Sequence, residues 1–390
     1  MTTALRGLTW DHPRGYRVLD ALSRLDRAGP SNPYGPVRLP VIWSRQSLAG
    51  FEARPVRELA AEFDLLVIDH PGIGEAVEDG ALMPLDELFG TEEIAAWQRV
   101  TVGGCGASYR WHDRQWAAPI DVAAQFGVAR AGSVSPPPAT WDEAIAFARN
   151  TPTVLCLGGP HALLMLCAVA VALGASPQNS GSRFLDRDTG QRALDVMRRL
   201  YAVADREASV QDPISVLAAM ATGSGPAYCP LVFGYINYQH PDRFPHQLTF
   251  FDAPAGVAGG RRGSVLGGTG MAISRFAADA PAAAEHIRRV ASVRVQRTLY
   301  SDEGGQAAHL GAWHDSEIDR GVGGFYSATQ ATVTDAWVRP RFAGFIDFQR
   351  EASAAVRSGL ISAAAPNAIL DELDDRFRWA QSTPVHASAG

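Results

Sequence analysis

The stretch "DLLVIDH", residues 64–70, constrains this chain more than any other. A near-continuous apolar run of that length, with a polar residue at each end, suits a strand buried on both faces of a parallel sheet. Two strand-like runs precede it, "LRGLTW" and "VRLPVIWSR". Between those two, "RGYRVLDALSRLDRAG" places apolar residues at helical spacing and stops at glycine, and "ARPVRELAAEF" forms a short helix before the third. "GIGEAVEDGALMPLDEL" follows the third strand. This βαβαβ order implies right-handed crossovers and a doubly wound α/β sheet.

Two of the strands end on the same tripeptide, Asp11-His12-Pro13 and Asp69-His70-Pro71. In a sheet of this kind the first and third strands lie side by side, and ligands bind beyond their carboxyl ends. Both corners then face one site. One reading makes each a capping turn, with proline opening the helix and aspartate capping it. The other makes Asp11, His12, Asp69 and His70 a ligand-binding or acid/base set. No HxH or HExxH spacing supports a metal. Arg14, at the start of the first helix, is placed to hold an anionic group with free backbone N–H groups, or to lie in solvent.

At 390 residues the chain exceeds what one core usually holds, so two domains are expected. A second unit opens near "RQWAAPIDVAAQFGVAR". The stretch "SVSPPPATWDEAIAFARN" is a proline-rich loop and then a helix, with Thr140 and Glu143 as a capping box. "TVLCL" reads as a strand, and "ALLMLCAVAVALGA", 162–175, as a buried helix too short to span a bilayer. "DRDTGQRALDVMRRLYAVA" is an amphipathic helix. "AYCPLVFGYINY", "HQLTFFDAPAG" and "SVLGGTGMAISRFA" are further strands, the last hundred residues are mostly helical, and "STPVHASAG" frays.

Composition narrows the function classes. With 46% hydrophobic and 19% charged residues the chain is an ordinary globular one, and its net charge of -6 gives no reason to expect nucleic acid or an anionic membrane as partner. All 35 basic residues are arginine. Cys105, Cys156, Cys167 and Cys229 form no CxxC pair, so neither a metal knuckle nor a disulfide framework is suggested. No G-x-S-x-G elbow occurs, and nothing near Cys105 in "GGCGAS" would lower its pKa. The glycines of "GSVLGGTGMAIS" are followed by a strand, whereas a dinucleotide fingerprint needs a helix there. No cofactor is called for. "MTTALRGLTW" has no basic, apolar or cleavage region of a secretory signal. If Met1 is the native start the protein is cytoplasmic, and if a signal was removed it is extracytoplasmic.

The blocks "LTWDHPRGY", "DLLVIDHPGIGEA", "RQWAAPIDVAAQ", "PPPATWDEAIAFAR", "GPHALLML", "LVFGYINY", "GSVLGGTGMAIS", "EGGQ" and "AWVRPRFAGFIDFQ" fall in the order seen in extracellular solute-binding proteins of family 1. The chain resembles these sugar-type components of ABC transporters from about residue 5 to 378, and within them a subgroup marked by "TWDHPRGY". The resemblance implies a type II periplasmic-binding-protein fold, two α/β lobes with a hinge and a ligand cleft. Lobe one is then 1–117 plus 254–310, and lobe two 118–253 plus 311–390, with C-terminal bracing helices. It also implies a monomer that closes around a polar organic ligand, with an ABC permease as partner if exported.

Candidate ligand residues in lobe one are Trp10, Asp11, His12, Arg14, Asp69, His70, Trp116 and Asp121. In lobe two, "LCLGGPHALL" repeats the strand-to-helix logic with Pro160 and His161, and "GYINYQHPD" offers Tyr235, Asn237 and Tyr238, rings and an amide suited to a sugar. Gly267, Gly268 and Thr269 return the chain to lobe one with backbone toward ligand, and Gln306 lies in "EGGQ" near the hinge or cleft. Two functions remain open: a binder, or a cofactor-independent isomerase, cyclase or lyase using cleft His and Asp.

Overall fold

The computed structural model describes residues 4–240 and 243–382. The last eight residues of "STPVHASAG" lie outside them. The chain divides into two compact units. The first comprises residues up to Val122, Gly267–Gly321 and Arg341–Ala343; the second comprises Ala123–Leu266, Val322–Pro340 and the rest from Gly344.

In the first unit, β1 (Leu5–Trp10) leads into α1 (Pro13–Arg27), β2 (Val41–Gln46), α2 (Leu48–Ala53), α3 (Val56–Glu62), β3 (Leu65–Ile68) and α4 (Ile73–Glu78). β1 lies between β2 and β3 and runs parallel to both, with Leu8 opposite Leu66. The two Asp-His-Pro corners therefore sit at the carboxyl ends of neighbouring strands. All four residues of β3 are buried, as a strand covered on both faces must be. Helix α2 interrupts the expected β2–α3 connection. Ser47 starts it by accepting the Gly50 N–H at 3.1 Å.

The strand Ala118–Arg130, here β4, begins in the first unit and continues into the second. There it pairs antiparallel with β5 (Tyr228–Phe233) and β6 (Leu248–Phe251), with a shift of register between Phe126 and Val128. The strand β7 (Leu266–Ser274) enters the first unit at Gly267 and pairs antiparallel with β3.

Around the second unit's sheet lie α5 (Trp141–Ala148), α6 (His161–Ala172), α7 (Arg187–Tyr201), α8 (Phe345–Ile361) and α9 (Pro366–Ser382). All twelve residues of α6 are buried, which explains its uniformly apolar sequence. Thr140 caps α5 by accepting the Glu143 N–H at 3.3 Å. Glu143 reaches back one residue further than expected, to the Ala139 N–H at 2.7 Å.

"TVLCL" differs from its expected strand and is reduced to a single bridge, Thr153 to Tyr228. Its backbone is claimed by a loop instead: Leu155 N–H donates to Ser209 Oγ at 3.0 Å and Leu157 N–H to the Ser209 carbonyl at 3.0 Å. Among the described residues no helix is long and apolar enough to cross a membrane.

Candidate functional site

The two Asp-His-Pro corners share a sequence and a position but not a role. In the first copy the cap is His12. Its backbone is extended (φ -143°), and its Nδ1 accepts the Arg14 N–H at 3.2 Å. Asp11 instead points to the surface, 3.6 Å from Arg45 on β2. In the second copy aspartate caps: Asp69 accepts the His70 N–H at 2.8 Å. The imidazole of His70 is buried against the edge of Tyr109, with ring centroids 6.1 Å apart.

Around the first corner the side chains lock together. Trp10 stacks on His12 at 5.2 Å with an interplanar angle of 13°, and the Arg14 guanidinium lies 5.7 Å from the Trp10 ring. Gly15 has to be glycine because a Cβ there would overlap the Trp10 indole. Gly15→Ala is expected to cost about 1–3 kcal/mol through overpacking. A urea denaturation midpoint equal to that of the parent would contradict it.

Arg14 does not present a free cation. It forms a two-pronged pair with Asp121 on β4, Nε to Oδ2 at 2.8 Å and Nη2 to Oδ1, with both side chains buried. Burial pushes the Asp121 carboxyl up against the pull of Arg14, and neighbouring Asp69 pushes the same way. Burial, reinforced by the Arg14 and Arg17 charges, lowers His12 to about 3. It is therefore neutral at physiological pH, as an acceptor at Nδ1 requires. Burial likewise raises the Cys105 thiol, assisted by Asp121 and Asp69, which opposes formation of a thiolate nucleophile.

The other first-unit candidates surround this cluster. Trp116 is buried and donates its indole N–H to the Trp111 carbonyl at 2.9 Å. Gln306 is fully buried and donates to the Val122 carbonyl at 2.6 Å, holding β4 where Asp121 pairs with Ala307. Gly267, Gly268 and Thr269 lie in β7. Only Gly268, with φ +113°, needs glycine's conformational freedom. Tyr109 lies in no motif, and Arg341, within "AWVRPRFAGFIDFQ", is not among the sequence candidates. Tyr109 packs against His70 and over Gly270, where a Cβ would collide with its ring.

In the second unit Pro160 occupies the position before α6 without a side-chain cap, and His161, 3% exposed, packs on Phe233 at 5.8 Å. Burial lowers His161 to about 3. Asp212 opposes that shift and Arg339 adds to it. Tyr235, Asn237 and Tyr238 form a buried turn in which burial and Asp212 raise Tyr238 to about 12. The Gly158-Gly159 turn is tied to α8, with Ser353 Oγ donating to the Gly159 carbonyl at 2.7 Å and Arg357 to the Leu157 carbonyl at 2.9 Å. These two anchors lie nearly two hundred residues from the turn, beyond any local signal. A cleft of about 670 Å³ in the same unit is lined by residues such as Thr153, Asp205, Gln211 and Ser224, and by none of the sequence candidates. It is an open groove without convergent charged groups, so the strand-end cluster is the better candidate site. Among the described residues no group of three or more His, Cys, Asp or Glu side chains is placed to hold a metal ion.

Units of this topology define the periplasmic-type solute-binding fold, and comparison with solved structures agrees. The chain matches a maltose-bound MalE3 of T. maritima with a TM-score of 0.80 at 16% identity, over 97% of this chain and 100% of that one. It matches an ABC transporter solute-binding protein of Agrobacterium radiobacter K84, complexed with ribitol, at 0.76 and 18% identity over 97% and 98%. The GacH receptor of Streptomyces glaucescens, solved unliganded and with acarbose, matches at 0.75 and 16% identity over 98% and 100%. No family model matches the sequence, and no curated protein does.

Proposed function

We propose that the protein binds a small polar organic molecule of the sugar or polyol class and does not transform it. The observation that carries this reading is the strand-end cluster of the first unit. There the half-buried carboxylate of Asp69 stands beside the Arg14–Asp121 pair and the Trp10–His12 stack. Carboxylate acceptors beside aromatic faces suit hydroxyl-rich ligands. The similar structures, named for maltose, ribitol and acarbose, support the same class.

An acid/base enzyme gains no support from this geometry. His12 has Nδ1 committed to the helix cap and is held far below the pH at which a general base works. Asp11 stands apart on the surface. If the chain is exported, a permease of the ABC type is the partner that fits a monomeric binder.

Thermal denaturation with maltose, ribitol, tagatose and acarbose tests the proposal. A ligand at 100 times its Kd stabilises by about 2.7 kcal/mol, a shift of several degrees. Asp69→Asn keeps an oxygen for the cap but removes the charge, and is expected to weaken binding at least tenfold. If no member of the panel moves the midpoint, or if one is chemically converted, the proposal fails.

A further inference from the structure

Most of the half-buried and buried arginines of the first unit have an acidic partner. Arg14 meets Asp121, Arg289 meets Asp26 at 2.7 Å, and Arg114 meets Glu87 at 3.3 Å. Arg341 does not. It is half-buried and makes one hydrogen bond, Nη1 to the Ser108 carbonyl at 3.1 Å. Its Nε is buried without a partner, and no carboxylate of the described residues lies within ion-pair distance. Burial lowers its pKa, so the fold bears a cost for keeping this cation.

Its position ties it to the second corner. The Arg341 carbonyl packs so closely on Gly74, in the first turn of α4, that a Cβ there would overlap it. Ser108 precedes Tyr109, whose ring abuts His70. A guanidinium offers five donors in a planar fork that matches a carboxylate. One such fork suits a single negative charge. A phosphate dianion would call for further cations.

We infer that Arg341 reads an acidic group on the ligand, and that the preferred ligands are sugar acids or aldonates rather than neutral sugars. This rests on the sugar-class reading above and narrows it. Calorimetric titration of the full chain with matched pairs tests it: glucuronate against glucose, ribonate against ribitol, and maltobionate against maltose. At least one acid is expected to bind tenfold or more tightly than its neutral partner. Arg341→Gln should bring that ratio near one, whereas Arg341→Lys, which keeps the charge without the fork, should retain part of it. A preference for the neutral members overturns the inference and leaves the sugar-class reading standing. So does a ratio unchanged in Arg341→Gln, including a variant that only melts lower. Binding of no member of any pair sinks both.

Discussion

Replacing Asp121 with alanine is expected to destabilise the first unit by about 3–5 kcal/mol, because it takes the paired carboxylate away from a buried guanidinium. Arg14 is 5% exposed, so water cannot take over the lost carboxylate. Asp121 receives Nε and Nη2 each on its own oxygen, so the substitution removes both charge-assisted hydrogen bonds at once. The complementary experiment removes both charges. Arg14→Met with Asp121→Leu keeps the volume and abolishes both desolvation costs, so it should lie much nearer the parent than the single variant. Urea denaturation followed by tryptophan fluorescence reads this directly, since Trp10 lies against Arg14. A single variant losing under about 1 kcal/mol, or a double variant as damaged as the single, would show that the pair does not brace this corner.

Legibility in the sequence followed the range of the interactions. Strand β3 was readable because its burial is written into four consecutive apolar residues, and α6 because all of its faces are apolar. "TVLCL" carries the same kind of signal yet forms no full strand, because the acceptors that claim its backbone belong to residues 209–211. The adjacency of the two Asp-His-Pro corners followed from strand order. Their unequal roles did not, because each is decided by a neighbour absent from the tripeptide. Arg45 on β2 attracts Asp11 outward and leaves the cap to His12, while Tyr109 encloses His70. The Arg14–Asp121 pair spans 107 positions, and Arg341 meets Ser108 across 233. Neither has a local signature, so the chemistry of the candidate site was readable as a set of residue types and not as a set of pairs.

Acid is expected to unfold this protein above the pH range of its carboxylates, because three histidines are buried in the neutral form. His12 and His286 in the first unit and His161 in the second are each lowered by burial to about 3, from an ordinary value of 6.5. Between those values the unfolded chain binds protons that the folded chain refuses. Stability is therefore complete above about pH 6.5 and is lost as pH falls toward 3. At pH 5 each histidine withholds about 2 kcal/mol relative to pH 7, on the order of one-third of a typical domain's stability. The first unit holds two of the three and should lose more. His286 offers the clearest variant. Both of its ring nitrogens are buried without a partner, it packs on Trp43 at 5.8 Å, and it lies outside the candidate ligand site. His286→Gln removes its titration and should reduce the fall in unfolding free energy between pH 7 and pH 5 by about 2 kcal/mol, whatever it costs at pH 7 itself. A pH dependence identical in parent and variant would mean that His286 is protonated in the folded state and that its burial does not control acid stability.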